Sequence, residues 1–199
     1  MSYPVKIATL CLLGMVLCSL APAAERPIDV AHSSIRIHVG KAGLFSVAGH
    51  EHWVRAPIAS GSLQESEPAQ VSFTVDAGRL MVEPDKTLSD KDQAEVQRTM
   101  QEKVLESARY PEISFHSTDV EKIADDKWRV QGELLLHGQS RPVSATVVKK
   151  QDEYLGSCRI KQSDFGIRRV SVGGGVVKVK DELEIDFAIA PVGATAERR

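Results

Sequence analysis

Few side chains in this chain have the type and spacing to do chemistry, and His50 and His52 come first among its six histidines. Two apart on an expected strand, they point to one face together with Val54, Ala56 and Ile58. Two imidazoles so placed would chelate zinc or copper if His32, His38, His116 or His137 supplied a third ligand. The same pair could form a polar collar around a ligand head group, or simply hydrogen-bond near a barrel mouth. The collar is preferred to the metal, and no metal or other cofactor is expected. Cys158 is in phase with Tyr154, Gly156 and Ile160, which turns it inward among apolar groups, where a thiol loses acidity and reactivity. There is no nucleophile-elbow motif, and Gly173-Gly174-Gly175 reads as a turn between strands, not a phosphate loop. Asp125-Asp126 reads as a turn, and Glu182 with Glu184 as a solvated strand face. Nothing here assembles a catalytic constellation, so the expectation is a binding protein, not an enzyme. Arg168 and Arg169, beside Asp164, make a short charged loop. It serves solubility, or places a guanidinium fork at a mouth where it meets a polar head group.

The elements that must position these residues are strands. Period-two alternation recurs at Ile35-Ile37-Val39, Val71-Phe73-Val75, Ile113-Phe115, Trp128-Val130, Leu134-Leu136 and Val143-Ala145-Val147. A last long run, Val177 to Ile189, keeps phase except at Asp181. Turn signals lie between the runs, and hairpin spacing makes the sheet antiparallel. About eight strands with edges to protect predict closure into an all-β antiparallel barrel. One segment departs: Ser89 to Arg109 reads as an inserted amphipathic helix. Asp90 and Gln93 stand at capping-box spacing, and Val96, Met100, Val104, Leu105 and Ala108 share a stripe. Tyr110-Pro111 ends it. The helix either plugs one end of the barrel or is an ordinary surface helix.

Residues 1–24 read as a signal peptide, with Lys6 as the basic start, an apolar run from Ile7 to Leu20, and Ala21-Pro22-Ala23-Ala24 for cleavage. Residues 25–199 then form one domain in the periplasm. Losing the leader removes Lys6 and moves the net charge from −2 to −3, which gives nucleic acid no electrostatic reason to bind. Cys11 and Cys18 leave with it, so Cys158 has no internal disulfide partner. Aromatic residues make up only 5% of the chain, and small inward residues such as Gly132, Ala145, Gly156 and Cys158 suggest room inside the barrel.

Several segments together resemble the YceI-like family of periplasmic lipid-binding proteins. They are Ile28-Asp29 with His32-Ser33, the run Gly43 to His50, Tyr110 to Thr118, Val130 to Gly138 with Arg141-Pro142-Val143, Ser163 to Ile167, and Val179 to Ile185. The resemblance implies a lipocalin-like antiparallel barrel with an inserted helix and an elongated apolar cavity. It implies isoprenoid chains, quinones or fatty amides as ligands, and leaves room for a homodimer. The chain departs from the family pattern at Met81 to Asp85, at Ser89 to Asp92, and at His50-Glu51-His52. The expected ligand-binding residues are Phe45, His50, His52, Val54, Phe73, Phe115, Leu134, Cys158, Phe165 and Arg168. The alternative function is a metal-binding or stress-response module built on His50 and His52. N-terminal sequencing of the exported protein should begin within a residue or two of Glu25; intact Met1 in a membrane fraction would mean that the leader is an anchor.

Overall fold

The computed structural model describes residues 25–42, 51–172 and 177–193. Its strands are β1 (Glu25–Pro27), β2 (Ser34–Ala42), β3 (His52–Arg55), β4 (Ile58–Gln64), β5 (Gln70–Asp76) and β6 (Met81–Val82). They continue as β7 (Glu112–Ala124), β8 (Lys127–Leu136), β9 (Gln139–Lys150), β10 (Glu153–Lys161), β11 (Ser171–Val172) and β12 (Val177–Ile189). All belong to one sheet, ordered β1-β4-β5-β7-β8-β9-β10-β12-β2-β3-β6, with β11 beside β12. Every pairing is antiparallel, as the hairpin spacing predicts. The expected alternation is plain in β8, where Val130, Gly132 and Leu136 are buried and Arg129, Gln131 and Glu133 are exposed.

The all-β antiparallel barrel with one inserted helix is as expected, and its details differ in two ways. Among the described residues the sheet has twelve strands where about eight were expected, because fragments of two to four residues, β1, β3, β6 and β11, extend it. Runs that short carry too few alternations to stand out in a sequence. Among the described residues no ladder joins the two edge strands, β1 and β6. The sheet curls so that the end of β1 meets the end of β12 at an isolated bridge between Ile28 and Pro191, beside Asp29 N–H donating to the Ala190 carbonyl at 2.8 Å.

Asp181 breaks the phase of β12 because the strand bulges between Val179 and Leu183. The freed carboxylate accepts from the backbone N–H of Ser163 (3.0 Å) and from its hydroxyl (2.7 Å), which fastens the 3-10 turn Gln162–Phe165 to the barrel.

Helix α1 (Asp90–Thr99) is capped by Ser89, not by Asp90: the Ser89 hydroxyl oxygen accepts from Asp92 N–H at 3.2 Å and donates to the Asp92 carboxylate at 2.7 Å. Asp90 and Asp92 then lie in the first turn, where the helix dipole favours acid. The α-helix gives way to a π-helical turn, Met100–Val104, closed by Leu105 N–H to the Met100 carbonyl at 2.9 Å. Glu106 turns to φ +45°, so the expected stripe stops at Leu105 and Ala108 is exposed. Side chains tie the helix across one end of the barrel. Gln97 accepts from Val82 N–H (2.8 Å) and donates to the Leu80 carbonyl (2.9 Å), while Gln101 donates to Leu80 (3.0 Å) and Ala77 (3.1 Å). Beyond the helix, Glu106 bonds His137 at 2.8 Å, and the other His137 nitrogen meets the Phe165 carbonyl at 3.2 Å. This helix end also carries the β8–β9 turn and the 3-10 turn. The far end carries the β4–β5, β7–β8 and β9–β10 turns.

Two glycines do the opposite of what small liners suggest. A Cβ on Gly132 would lie 2.5 Å from the Phe115 ring, and one on Gly156 would lie 2.4 Å from the Phe187 ring. Each glycine is roofed by an aromatic from a neighbouring strand, so neither leaves open space. Gly132→Ala should therefore lower stability by roughly 1 to 3 kcal/mol through overpacking against Phe115 and the His116 carbonyl. A urea midpoint equal to the parent's would show that the ring has room to retreat.

Candidate functional site: the barrel interior

The inward faces of the strands enclose a cavity of about 1270 Å³. That exceeds the roughly 300–1,000 Å³ of an ordinary small-molecule pocket, and close-packed interiors do not leave such a space by accident. Its wall is the alternation read from the sequence: Ile35, Ile37 and Val39 from β2, Val71 and Val75 from β5, Val143, Ala145 and Val147 from β9, and Leu183, Ile185 and Phe187 from β12. Phe73 and Phe115 stack on adjacent strands with centroids 5.5 Å apart. Helix α1 and its π turn contribute Val96, Met100, Val104 and Leu105, so the helix roofs the cavity instead of lying on the outer surface.

Of the expected ligand-binding residues, His52, Val54, Phe73, Phe115, Leu134, Cys158 and Arg168 all line this cavity. Phe45 and His50 lie outside the described residues. Phe165 is only 1% exposed and packs into the hydrophobic core, but it does not line the cavity; Ile167, two residues on, does. The reason is local. Phe165 closes the 3-10 turn before Gly166 (φ +71°), and its side chain is spent anchoring that turn.

The third ligands considered for a metal are dispersed. His32 bonds Asp29 at 2.7 Å, His38 stacks on Trp53 outside the barrel and bonds Glu51 at 3.2 Å, His116 is exposed, and His137 is held by Glu106. Among the described residues no three His, Cys, Asp or Glu side chains gather where they could hold a metal ion. Cys158 behaves as the sequence suggests: burial, with a smaller contribution from Asp186, pushes its thiol up to about 11.

Sequence reasoning missed the cluster at the far end. Glu65, in the β4–β5 turn, reaches across the barrel to Lys149 at the end of β9 (2.8 Å), to the Tyr154 hydroxyl on β10, which donates to it, and to Arg26 on β1 (3.1 Å). Bonds from Lys149 and Tyr154 hold the Glu65 carboxyl down to about 2, while burial and the neighbouring carboxylate raise Tyr154. Lys149 also lies 5.1 Å over the Tyr154 ring, whose edge meets Trp128 at 5.9 Å. Only Tyr154 gave a sequence signal, through its phase with Cys158.

An antiparallel sheet curled around a long apolar chamber and roofed by one helix defines a barrel of the kind that houses apolar ligands. The chain belongs to the YceI-like domain family, whose model matches residues 27–190. A UPF0312 protein of Shewanella denitrificans is 26% identical over 194 residues, covering 90% of this chain and 95% of that one. A UPF0312 protein of Vibrio cholerae is 26% identical over 179 residues, covering 83% and 88%. Among solved structures, BcnA of Burkholderia cenocepacia shares the fold at TM-score 0.57 and 18% identity, over 81% of this chain and 98% of that one. A polyisoprenoid binding domain from Saccharophagus degradans does so at TM-score 0.58 and 13% identity, over 85% and 98%.

The Glu65 cluster makes a pH-dependent contribution whose sign is fixed. A carboxyl depressed from 4.5 to about 2 stabilises the fold fully above pH 4.5 and loses that contribution as pH falls towards 2. Partial exposure of Glu65 weakens the effect through solvent screening. Glu65→Gln should therefore melt below the parent at pH 7, and the gap should close as both are titrated towards pH 2. A gap independent of pH would mean that Glu65 acts by shape and not by charge.

Proposed function

We propose that this protein binds a long apolar ligand, a polyisoprenoid, an isoprenoid quinone or a fatty amide, inside the barrel and serves as its carrier or reservoir. The observation that carries the reading is the cavity of about 1270 Å³ walled by aliphatic and aromatic side chains. Each CH₂ of a tail transferred there contributes roughly 0.8 kcal/mol, so length and shape dominate affinity. The polyisoprenoid binding domain named for the Saccharophagus neighbour supports the class of ligand. Binding, not catalysis, suits a wall whose thiol is held protonated at about 11. The reading includes export to the periplasm by the leader, no metal or organic cofactor, no nucleic-acid partner, and a homodimer as the assembly to look for.

Native mass spectrometry of protein purified from its own compartment should show a co-purified lipid. Cys158→Trp places an indole in the wall and should abolish that loading while the melting temperature falls only slightly. If the parent carries no lipid and the variant unfolds, with a loss of roughly 1 to 3 kcal/mol from overpacking, the interior is a filled core and the reading fails.

A further inference from the structure

The two ends of the cavity differ in charge. At the far end its wall carries Glu65, Asp126 and Lys149, and Lys149 is already committed to Glu65 at 2.8 Å. At the helix end its wall carries Lys103, Arg168 and Arg169 against a single carboxylate, Glu95. Glu95 is held by Arg98 at 2.5 Å, which is why its carboxyl lies below the usual range, with a minor contribution from Lys103. Asp181, which feels the charge of Arg169, is bonded to Ser163. Among the described residues no ion pair engages Lys103, Arg168 or Arg169.

The helix explains how three cations come to rim an apolar chamber. Positions 95, 99 and 103 run along one edge of its cavity face, beside the apolar row of Val96, Met100 and Val104. Apolar groups roof the interior and Lys103 is left exposed at the rim. The exposed Arg168 and Arg169 follow the 3-10 turn fastened to the same end of the barrel. A chain with net charge −2 thus concentrates surplus positive charge at one mouth of its cavity.

We infer that this mouth, Lys103 with Arg168 and Arg169, is the seat for an anionic head group, a phosphate monoester or a carboxylate, on a ligand whose tail fills the barrel. Guanidinium forks present paired donors that match the oxygens of either anion, and charge-assisted hydrogen bonds of this kind are the stronger class. The inference rests on the proposed lipid-binding function and sharpens it, because a neutral alcohol or amide of equal length would leave the three cations unmatched.

The test uses delipidated full-length mature protein and displacement of a fluorescent apolar reporter by two matched pairs: polyprenyl phosphate against polyprenol, and an eighteen-carbon fatty acid against its amide. The anion of at least one pair should displace about tenfold more effectively than its neutral partner at low salt, less so as salt screens the contact. The pair showing the larger ratio identifies phosphate or carboxylate. In Arg168→Gln/Arg169→Gln and in Lys103→Gln the ratio should fall towards one, whereas Arg129→Gln, which removes a charge paired with Glu121 on the outer face, should keep the parent's ratio. A ratio near one for both pairs in the parent, or one kept in the double variant, overturns the inference while leaving lipid binding intact. A parent that takes up neither the reporter nor any of the four lipids overturns both.

Discussion

A barrel whose interior is not filled by its own side chains must be held together by its wall. Here the wall is a main-chain ladder running through eleven strands from β1 to β6. Inward residues such as Ile35, Val54, Leu136 and Ile160 pack into one buried cluster with Phe165, and around the remaining space the strands keep their shape by their own pairing. The long pairings of β7 with β8 and β8 with β9 supply that stiffness.

Where the ladder ends, side chains take over. At the far end the strands are gathered by Glu65, whose carboxylate satisfies donors from β1, β9 and β10 and leaves little charge to offer a ligand. At the helix end, closure is by main-chain carbonyls and amides taken up by Gln97 and Gln101, and by His137 between Glu106 and Phe165. That arrangement consumes polar groups but not the cations, so the positive charge stays at the mouth. The chamber acquires a direction from the way its two ends are fastened.

Most of the wall could be read from the sequence, because a strand with one face buried must alternate. Phe73, Phe115, Leu134 and Cys158 all follow from phase alone. The misreadings have particular causes. Phe165 has the composition of a wall residue, but a 3-10 turn rotates it into the core, and period-two reasoning does not apply there. Ala108 was expected on the helix stripe, but stripe arithmetic assumes 3.6 residues per turn and the chain passes through a π turn first. Glu65 was invisible because its partners lie 39 to 89 positions away along the chain, and no local pattern encodes such a reach. Gly132 and Gly156 were taken as gaps, although what occupies a glycine's space is decided by the strand beside it.

The two aromatic roofs give the chamber an adjustable calibre. Phe115 and Phe187 lie over Gly132 and Gly156, and both also face the cavity, so at those levels the bore is set by how flat each ring lies. A smaller aliphatic in place of either ring would uncover the glycine and widen the passage at that level. Related barrels could thereby change the girth of the tail they admit by exchanging one ring, with the ladder and both fastened ends left as they are.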